Sequence, residues 1–163
     1  MEIRKSNRND LEDILKIYES ARKYMLGNGN SNQWGNYYPD EKTIIMDIEN
    51  NYHFVCVDNK LPVACFAFIE GDDPTYKKIV NGEWLDNNSY ATIHRIAVLE
   101  QGKGIGSICI DWCFSRHKNI RIDTHKSNIP MQRLLMKKGF RYCGIIYTLK
   151  GDERLAFHKI LNK

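Results

Sequence analysis

A glycine-rich segment near the middle of the chain places the strongest constraint on how this sequence can fold. A mostly apolar run at positions 93–98 precedes the segment and a second run at 107–114 follows it; the segment itself is Gln101-Gly102-Lys103-Gly104-Ile105-Gly106. This pattern predicts a strand, a tight turn and a helix in succession. The first N–H groups of a helix lack intrahelical partners and lie at the positive end of its dipole, so such a turn can bind an anion.

Two common phosphate-binding motifs do not fit this segment. A P-loop needs Lys and then Ser or Thr directly after its last glycine, whereas Gly104 and Gly106 are followed by Ile105 and Ser107. A dinucleotide fingerprint needs unequal spacing, whereas the three glycines here alternate evenly. The pattern Gln-x-x-Gly-x-Gly after a strand remains, with a turn that merely joins strand and helix as the alternative.

A second motif lies downstream, after a strand predicted at residues 119–124. Asn128 can cap a helix, Pro130 fits its first turn and Gly139 can end it. These signals predict a helix over residues 128–138. The motif reads Asn128-Ile129-Pro130-Met131-Gln132-Arg133-Leu134-Leu135-Met136-Lys137-Lys138-Gly139-Phe140.

Together the two motifs resemble those of the GNAT superfamily of N-acetyltransferases, Q-x-x-G-x-G followed by N-x-x-A-x-x-L-Y-x-K-x-G-F. The resemblance covers residues 90–147. It implies an α/β (α+β) GNAT fold: a mixed, mostly antiparallel twisted sheet flanked by helices on both faces. It also implies a transferase that uses acetyl-CoA as cosubstrate.

The rest of the chain predicts elements in the order that this fold requires, β-α-α-β-β-β-α-β-α-β-β. A capping box of Asn9 and Glu12 would start the first helix, which would end at Gly27. The other helices are expected at residues 40–50, 104–117 and 128–138. Strands are expected at residues 2–5, 52–58, 63–70, 90–98, 119–124, 141–149 and 154–160.

Length and composition favour one domain over residues 1–163, because 27% charged and 42% hydrophobic residues are ordinary for a globular chain of this size. No apolar run reaches the roughly 18 residues of a membrane span. Residues 1–5 do not form a signal peptide, so we expect a cytoplasmic protein without a membrane partner. The net charge of +4 suits an anionic cofactor but is too diffuse for nucleic acid.

The five cysteines predict buried, reduced side chains. Cys109 and Cys113 would share one helix face, but no histidine or second cysteine pair accompanies them. We therefore expect no metal site.

The resemblance implies how acetyl-CoA would bind. Its pantetheine arm would lie like an added strand beside Ile96, Ala97 and Val98, and Asn128 would face it. Its pyrophosphate would lie on the backbone of Gln101, Gly102, Lys103, Gly104, Ile105 and Gly106. The family usually has two more residues before the glutamine. The short connection here leaves the role of the Gln101 side chain open.

Acetyl transfer to an amine needs a proton acceptor, donors for the oxyanion and a proton source for the departing thiolate. His94 is the predicted base, because imidazoles can exchange protons near neutral pH. Glu83 and Glu70 are alternatives that could act directly or through water. Backbone N–H groups near Val98 could stabilise the oxyanion. In each case a purely structural role is the competing interpretation.

The general acid is where this chain departs from the family, because Leu135 occupies the position of the usual tyrosine. Tyr147 is the predicted substitute, with His125 and water as alternatives. Leu135 also supports a rival hypothesis, a GNAT-like module that binds acyl-CoA without turnover and acts as a regulator. A nucleotide-binding regulator that uses the glycine turn alone is a third possibility.

The acceptor site is predicted from aromatic and acidic residues in two irregular segments, 32–38 and 72–84. Such residues suit a cationic amine through π-face and charge attraction. We therefore expect a primary amine of a small molecule or peptide as acceptor, and a monomer or homodimer. The candidate residues are Trp34, Tyr38 and Trp84 in these segments, together with Glu70 at the end of the preceding strand.

Overall fold

The computed structural model describes residues 1–162, in which seven strands and four α-helices follow the predicted order. The helices are α1 Leu11–Gly27, α2 Glu41–Glu49, α3 Ile105–Arg116 and α4 Ile129–Lys137. The strands are β1 Glu2–Lys5, β2 His53–Asp58, β3 Leu61–Glu70, β4 Ala91–Val98, β5 Asn119–Thr124, β6 Arg141–Tyr147 and β7 Glu153–Ile160.

The strands form one sheet in the order β1-β2-β3-β4-β5-β7-β6. Every neighbouring pair is antiparallel except β4 and β5, which are parallel. A parallel pair needs a crossover, and α3 supplies it between these two strands. The predicted mixed, mostly antiparallel sheet is therefore confirmed.

Helices pack on both faces of the sheet, as predicted. On one face, α1 buries Ile14, Ile17, Tyr18 and Ala21, which recur at helical spacing. On the other face, α3 and α4 cover a larger cluster that contains Cys109, Cys113 and Leu135. A third cluster forms where the segment between β3 and β4 covers the β5–β7–β6 half of the sheet; its buried members are Tyr76, Tyr90, Ile146 and Ala156.

The predicted capping box was wrong by two residues. The capping box consists of Asn7 and Asp10, not of Asn9 and Glu12. The Asn9 N–H donates to Asn7 Oδ1 at 2.9 Å, and the Asn7 N–H donates to Asp10 Oδ2 at 2.8 Å. The shift arises because a short 3₁₀ turn precedes α1 and takes the cap at its own start.

The sheet splits between β4 and β5. These strands pair only at Ala91–Ile120 and Thr92–Arg121. Beyond this point β4 carries a bulge, because two of its residues face a single residue of β3. Arg95 lies in the bulge with φ at 52°, in the left-handed region. A bulge bends its strand, so β4 diverges from β5 and leaves a wedge open.

Two buried histidines make the stability of the fold depend on pH. The His158 Nδ1 accepts the Leu85 N–H at 3.0 Å, so its proton is on Nε2, which contacts Asn119 Oδ1 at 2.6 Å. Burial, then the nearby Arg121 charge, lower the pKa of His158 from 6.5 to about 4. Burial and Arg95 likewise lower the pKa of His53 to about 4.

We expect the free energy of unfolding to decrease as the pH falls from about 6.5 towards about 4. In this range the unfolded chain binds protons that the folded chain excludes, so stability rises with pH. Each histidine can contribute up to about 2 kcal/mol between about pH 7 and about pH 5. Urea unfolding of His158→Gln should show a shallower slope over this range than the parent chain. An equal slope in the two proteins would assign the pH dependence to other groups.

Candidate active site

The wedge between β4 and β5 opens into a cleft of about 690 Å³. Its walls come from parts of the chain that are distant in sequence: the loop between α1 and α2, the middle of β4, the end of β5, the start of α4 and the β6–β7 hairpin. The cleft therefore depends on the sheet split as well as on its side chains.

One wall of the cleft is a strand edge without a strand partner. Because β4 leaves β5 after Thr92, its later N–H and C=O groups on that side have no neighbouring strand. Ile96 lines the cleft, while Ala97 is buried against α1 and α2 and Val98 is partly buried. An extended ligand could hydrogen-bond to this edge as an added strand does.

The glycine turn leads from the end of β4 into α3. Gly102 and Gly104 have φ values of 82° and 72°, which glycine adopts without strain. A Cβ added to either residue would meet no atom within 4 Å, so the space around the turn is open. Gln101 and Lys103 are exposed, and Lys103 forms an ion pair with Glu100. Ile105 anchors the helix start in the core, which leaves the N–H groups of its first turn at the surface.

Gly106, the last glycine of the segment, lies inside the first turn of α3. An added Cβ would come within 3.4 Å of the Leu134 side chain of α4. This is an ordinary contact distance, so the packing of α3 against α4 does not require a glycine at this position.

Asn128 lies at the start of α4 and connects this helix to the loop between α1 and α2. Its Oδ1 accepts the Met131 N–H at 3.2 Å, which confirms its predicted capping role. Its Nδ2 donates to Gln33 Oε1 at 3.0 Å, and Asn30 Nδ2 donates to the same oxygen at 2.9 Å. These bonds tie the α1–α2 loop to α4 across the cleft.

His94 lines the cleft and is paired with a carboxylate. Its Nε2 lies 2.9 Å from Asp73 Oδ2, and the two side chains are 22% and 16% exposed. Burial alone would raise the pKa of Asp73, but hydrogen bonds from His94 and Thr75 outweigh burial and lower it to about 2. An ionised Asp73 can only accept a hydrogen bond, so the pairing assigns the proton of a neutral His94 to Nε2. Nδ1 is then the free proton acceptor.

Asp73 is itself held in place. Its Oδ1 accepts hydrogen bonds from the Thr75 N–H at 2.8 Å and the Thr75 hydroxyl at 2.7 Å. Its backbone N–H donates to the Tyr90 hydroxyl at 2.8 Å. The carboxylate can therefore fix the tautomer and orientation of His94, as a supporting group does for a general base.

The β4 bulge is held by a buried ion pair. The Arg95 guanidinium donates to both carboxylate oxygens of Asp47 at 2.8 and 2.9 Å. Burial would lower the pKa of Arg95, but the Asp47 charge and hydrogen bonds outweigh it, so its pKa is raised. The Tyr18 hydroxyl donates to the Arg95 C=O at 2.8 Å. These contacts hold an arginine in a backbone conformation that side chains rarely adopt.

We expect Asp47→Asn to lower the free energy of unfolding by about 3 kcal/mol, because it leaves the buried Arg95 charge uncompensated. Urea unfolding measures this loss. As a control, the double variant Asp47→Leu with Arg95→Met removes both charges and should lose less stability than the single variant. A single variant as stable as the parent chain would show that the pair does not hold the bulge.

The structure brings together only some of the predicted acceptor residues. Trp34 and Tyr38 line the cleft and contact each other edge to face, with ring centroids 6.3 Å apart. Trp84 instead packs over the Arg121 guanidinium at 4.4 Å, and its Nε1 donates to the Tyr76 C=O. Glu70 is exposed and, like Trp84, lies outside the residues that line the cleft.

None of the remaining residues considered for catalysis lines the cleft. Glu83 is exposed on the β3–β4 segment and does not line the cleft. Tyr147 is 38% exposed at the end of β6 and does not line the cleft. Its neighbours Ile146 and Thr148 do, because side chains alternate between the two faces of a strand. Leu135 is fully buried in the core under α3 and α4.

Charged cleft residues that were not predicted from the sequence include Asp123 on β5, Lys150 and Asp152 between β6 and β7, and Arg154 on β7. Strand alternation places Asp123 and Arg154 on the face opposite the α3–α4 core, but nothing in the local sequence shows that this face borders a cleft. Asp73 belongs to the segment 72–84, which was predicted to contribute to the acceptor site. The sequence did not predict that it pairs with His94.

Residues 1–162 contain no helix that is both long and apolar enough to cross a membrane. In the same part of the chain, no group of three or more His, Cys, Asp and Glu side chains is arranged to hold a metal ion. All five cysteines are buried and unpaired.

A mixed sheet split between β4 and β5, with helices on both faces and a glycine turn before α3, defines the class of acetyltransferase folds that the two motifs indicated. The model of the Acetyltransferase (GNAT) family matches residues 11–140, so the chain belongs to this family. No curated protein matches the chain at a significant level.

Solved structures agree with this assignment. A GNAT family acetyltransferase from Streptococcus agalactiae is 35% identical, with a TM-score of 0.90 over 99% of this chain and 96% of its own. A GNAT family acetyltransferase from Listeria monocytogenes is 17% identical, with a TM-score of 0.72 over 98% of this chain and 94% of its own. A ribosomal-protein-alanine N-acetyltransferase from Brucella melitensis is 18% identical, with a TM-score of 0.65 over 99% of this chain and 100% of its own. At such low identity, the last two show the fold alone.

Proposed function

We propose that the protein is an N-acetyltransferase that transfers the acetyl group of acetyl-CoA directly to a primary amine of a small molecule or peptide. The observation that carries this proposal is the His94–Asp73 pair on the wall of the cleft, beside the unpaired edge of β4. A histidine fixed by a carboxylate at the point where the sheet opens is suited to accept a proton from an amine.

The residues present fit acetyl-CoA in two respects. The turn at Gly102 and Gly104 is open and lies at the start of α3, where N–H groups and the helix dipole favour a pyrophosphate. The free edge of β4 at Ile96, Ala97 and Val98 offers backbone hydrogen bonds to an extended arm. Acetyl-CoA would supply the acetyl group as a thioester.

In the proposed reaction, His94 Nδ1 would accept the proton that the amine loses as its nitrogen bonds to the acetyl carbon. Asp73 would stabilise the resulting imidazolium through Nε2. N–H groups of the β4 edge near Val98 would stabilise the oxyanion. The C–S bond of the thioester would then break, and the CoA thiolate that leaves would take up a proton.

Tyr147 stays the predicted source of that last proton, because Leu135 has no proton to give. Tyr147→Phe should lower kcat if this role is correct. Leu135→Tyr should not raise kcat, and it should cost about 1–3 kcal/mol of stability by overpacking the core. If Tyr147→Phe leaves kcat unchanged while Leu135→Tyr raises it, water is the proton source.

The proposed function is tested by measuring CoA release from acetyl-CoA with a panel of primary amines. Release that depends on the amine, with a matching acetylated product, is the expected result. Binding of acetyl-CoA without turnover of any amine would favour the regulatory acyl-CoA-binding module. Stabilisation by ATP but not by CoA would favour a nucleotide-binding regulator instead.

A further inference from the structure

Arg154 is a buried arginine that has no carboxylate partner in the described part of the chain. Its side chain lies on β7, and the residue is 8% exposed. Its Nη1 donates to the Glu153 C=O at 3.0 Å, and no carboxylate within residues 1–162 forms an ion pair with it. Guanidinium groups stay charged in proteins, and a buried charge ordinarily has a partner. The arginine is therefore equipped to bind an anion that the described residues do not provide.

The position of Arg154 indicates where that anion would come from. The residue borders the cleft and also an adjoining cavity of about 520 Å³. The other cleft arginine, Arg95, is already neutralised by both oxygens of Asp47. Lys150 also lines the cleft but is exposed, so its charge is hydrated. Of the cationic side chains that line the cleft, Arg154 combines burial with a free charge.

Acidic and basic groups lie on the same sheet face across three adjacent strands. His94 is on β4, Asp123 on β5 and Arg154 on β7, all opposite the core under α3 and α4. Asp123 pairs with Ala156, which makes Arg154 its diagonal neighbour, yet the two charges form no ion pair. The Tyr76 hydroxyl donates to Asp123 Oδ1 at 2.6 Å, which leaves Oδ2 for another donor.

We propose that the acceptor amine carries a carboxylate, and that Arg154 binds this carboxylate while the amine lies near His94 and Asp123. This inference rests on the proposed function and specifies its substrate class. Two strand spacings, on the order of 10 Å, separate β4 from β7 where the strands are paired, and the split between β4 and β5 widens this distance at His94. An amine several bonds away from its carboxylate fits this separation, as in an ω-amino acid or a short peptide with a free C-terminus.

Matched substrates test the inference directly. Wild-type protein with acetyl-CoA should show about 10- to 100-fold higher kcat/KM for 5-aminopentanoate than for 5-aminopentanamide. The reason is that a hydrogen bond to a charged group contributes a binding free energy equivalent to this factor. Triglycine and triglycine amide form a second pair, which distinguishes a peptide from a free amino acid as the source of the carboxylate.

Arg154→Gln should remove most of this preference, mainly by raising KM for 5-aminopentanoate, and Arg154→Lys should keep part of it. Lys126→Gln is the matched control, because it removes a positive charge from an exposed residue beside the adjoining cavity but not in the cleft. Melting temperature and CoA binding check that each variant is folded.

Equal kcat/KM for the acid and the amide in the wild-type protein would overturn the inference and leave acetyl transfer standing. A preference that survives in Arg154→Gln would also overturn it. If no amine is acetylated, the proposed function fails, and calorimetry with 5-aminopentanoate decides the anion site separately. Binding that is lost in Arg154→Gln would then support the site, and no binding to wild-type protein would refute it.

Discussion

Replacing His94 by glutamine should lower kcat for acetyl transfer about 100-fold or more, while acetyl-CoA binding persists. The reason is that glutamine can still donate to Asp73 but cannot accept a proton in place of Nδ1. Single-turnover rates with saturating acetyl-CoA measure the effect on the chemical step.

His117→Gln is a suitable control for this experiment. It removes a histidine that follows α3 and accepts the Asn119 N–H at 3.1 Å, away from the residues that line the cleft. Its turnover should stay near that of the parent chain. Activity of His94→Gln within about threefold of the parent chain would show that His94 is not the base.

The second large effect is expected at the glycine turn, where Gly104→Asp should abolish the rise in melting temperature caused by acetyl-CoA. Gly104 has φ at 72° and open space around its Cα, so an aspartate would place its charge beside the proposed pyrophosphate position. A ligand that binds only the native state raises its stability by mass action, and this rise measures binding.

Gly104→Asn separates charge from conformation. Asparagine has nearly the shape of aspartate and tolerates the left-handed conformation equally well, but it carries no charge. It should retain much of the acetyl-CoA effect that Gly104→Asp loses. The same rise in melting temperature in a folded Gly104→Asp protein would place the cofactor elsewhere.

The sequence by itself determined those features that neighbouring residues control. Residues 119–124 form a strand with the predicted bounds, and α1 ends at Gly27. Asn128 caps α4, and Pro130 lies in its first turn. Turns, caps and helical periodicity depend on contacts within a few residues, so local sequence is sufficient for them. The two motifs also correctly indicated the family and hence the sheet order.

Only the tertiary structure decided which side chains meet in the cleft. Asp73 and His94 come together across the β3–β4 segment, and Arg95 reaches Asp47 of α2. The left-handed conformation of Arg95 has no local signal, because it is stabilised by those distant partners. Trp84 is the opposite case. An aromatic ring suited a binding site for a cationic amine, but contacts with Arg121 and Tyr76 hold Trp84 outside the residues that line the cleft. Contacts between residues far apart in sequence depend on the complete fold, and for that reason the cleft could not be assembled from the sequence alone.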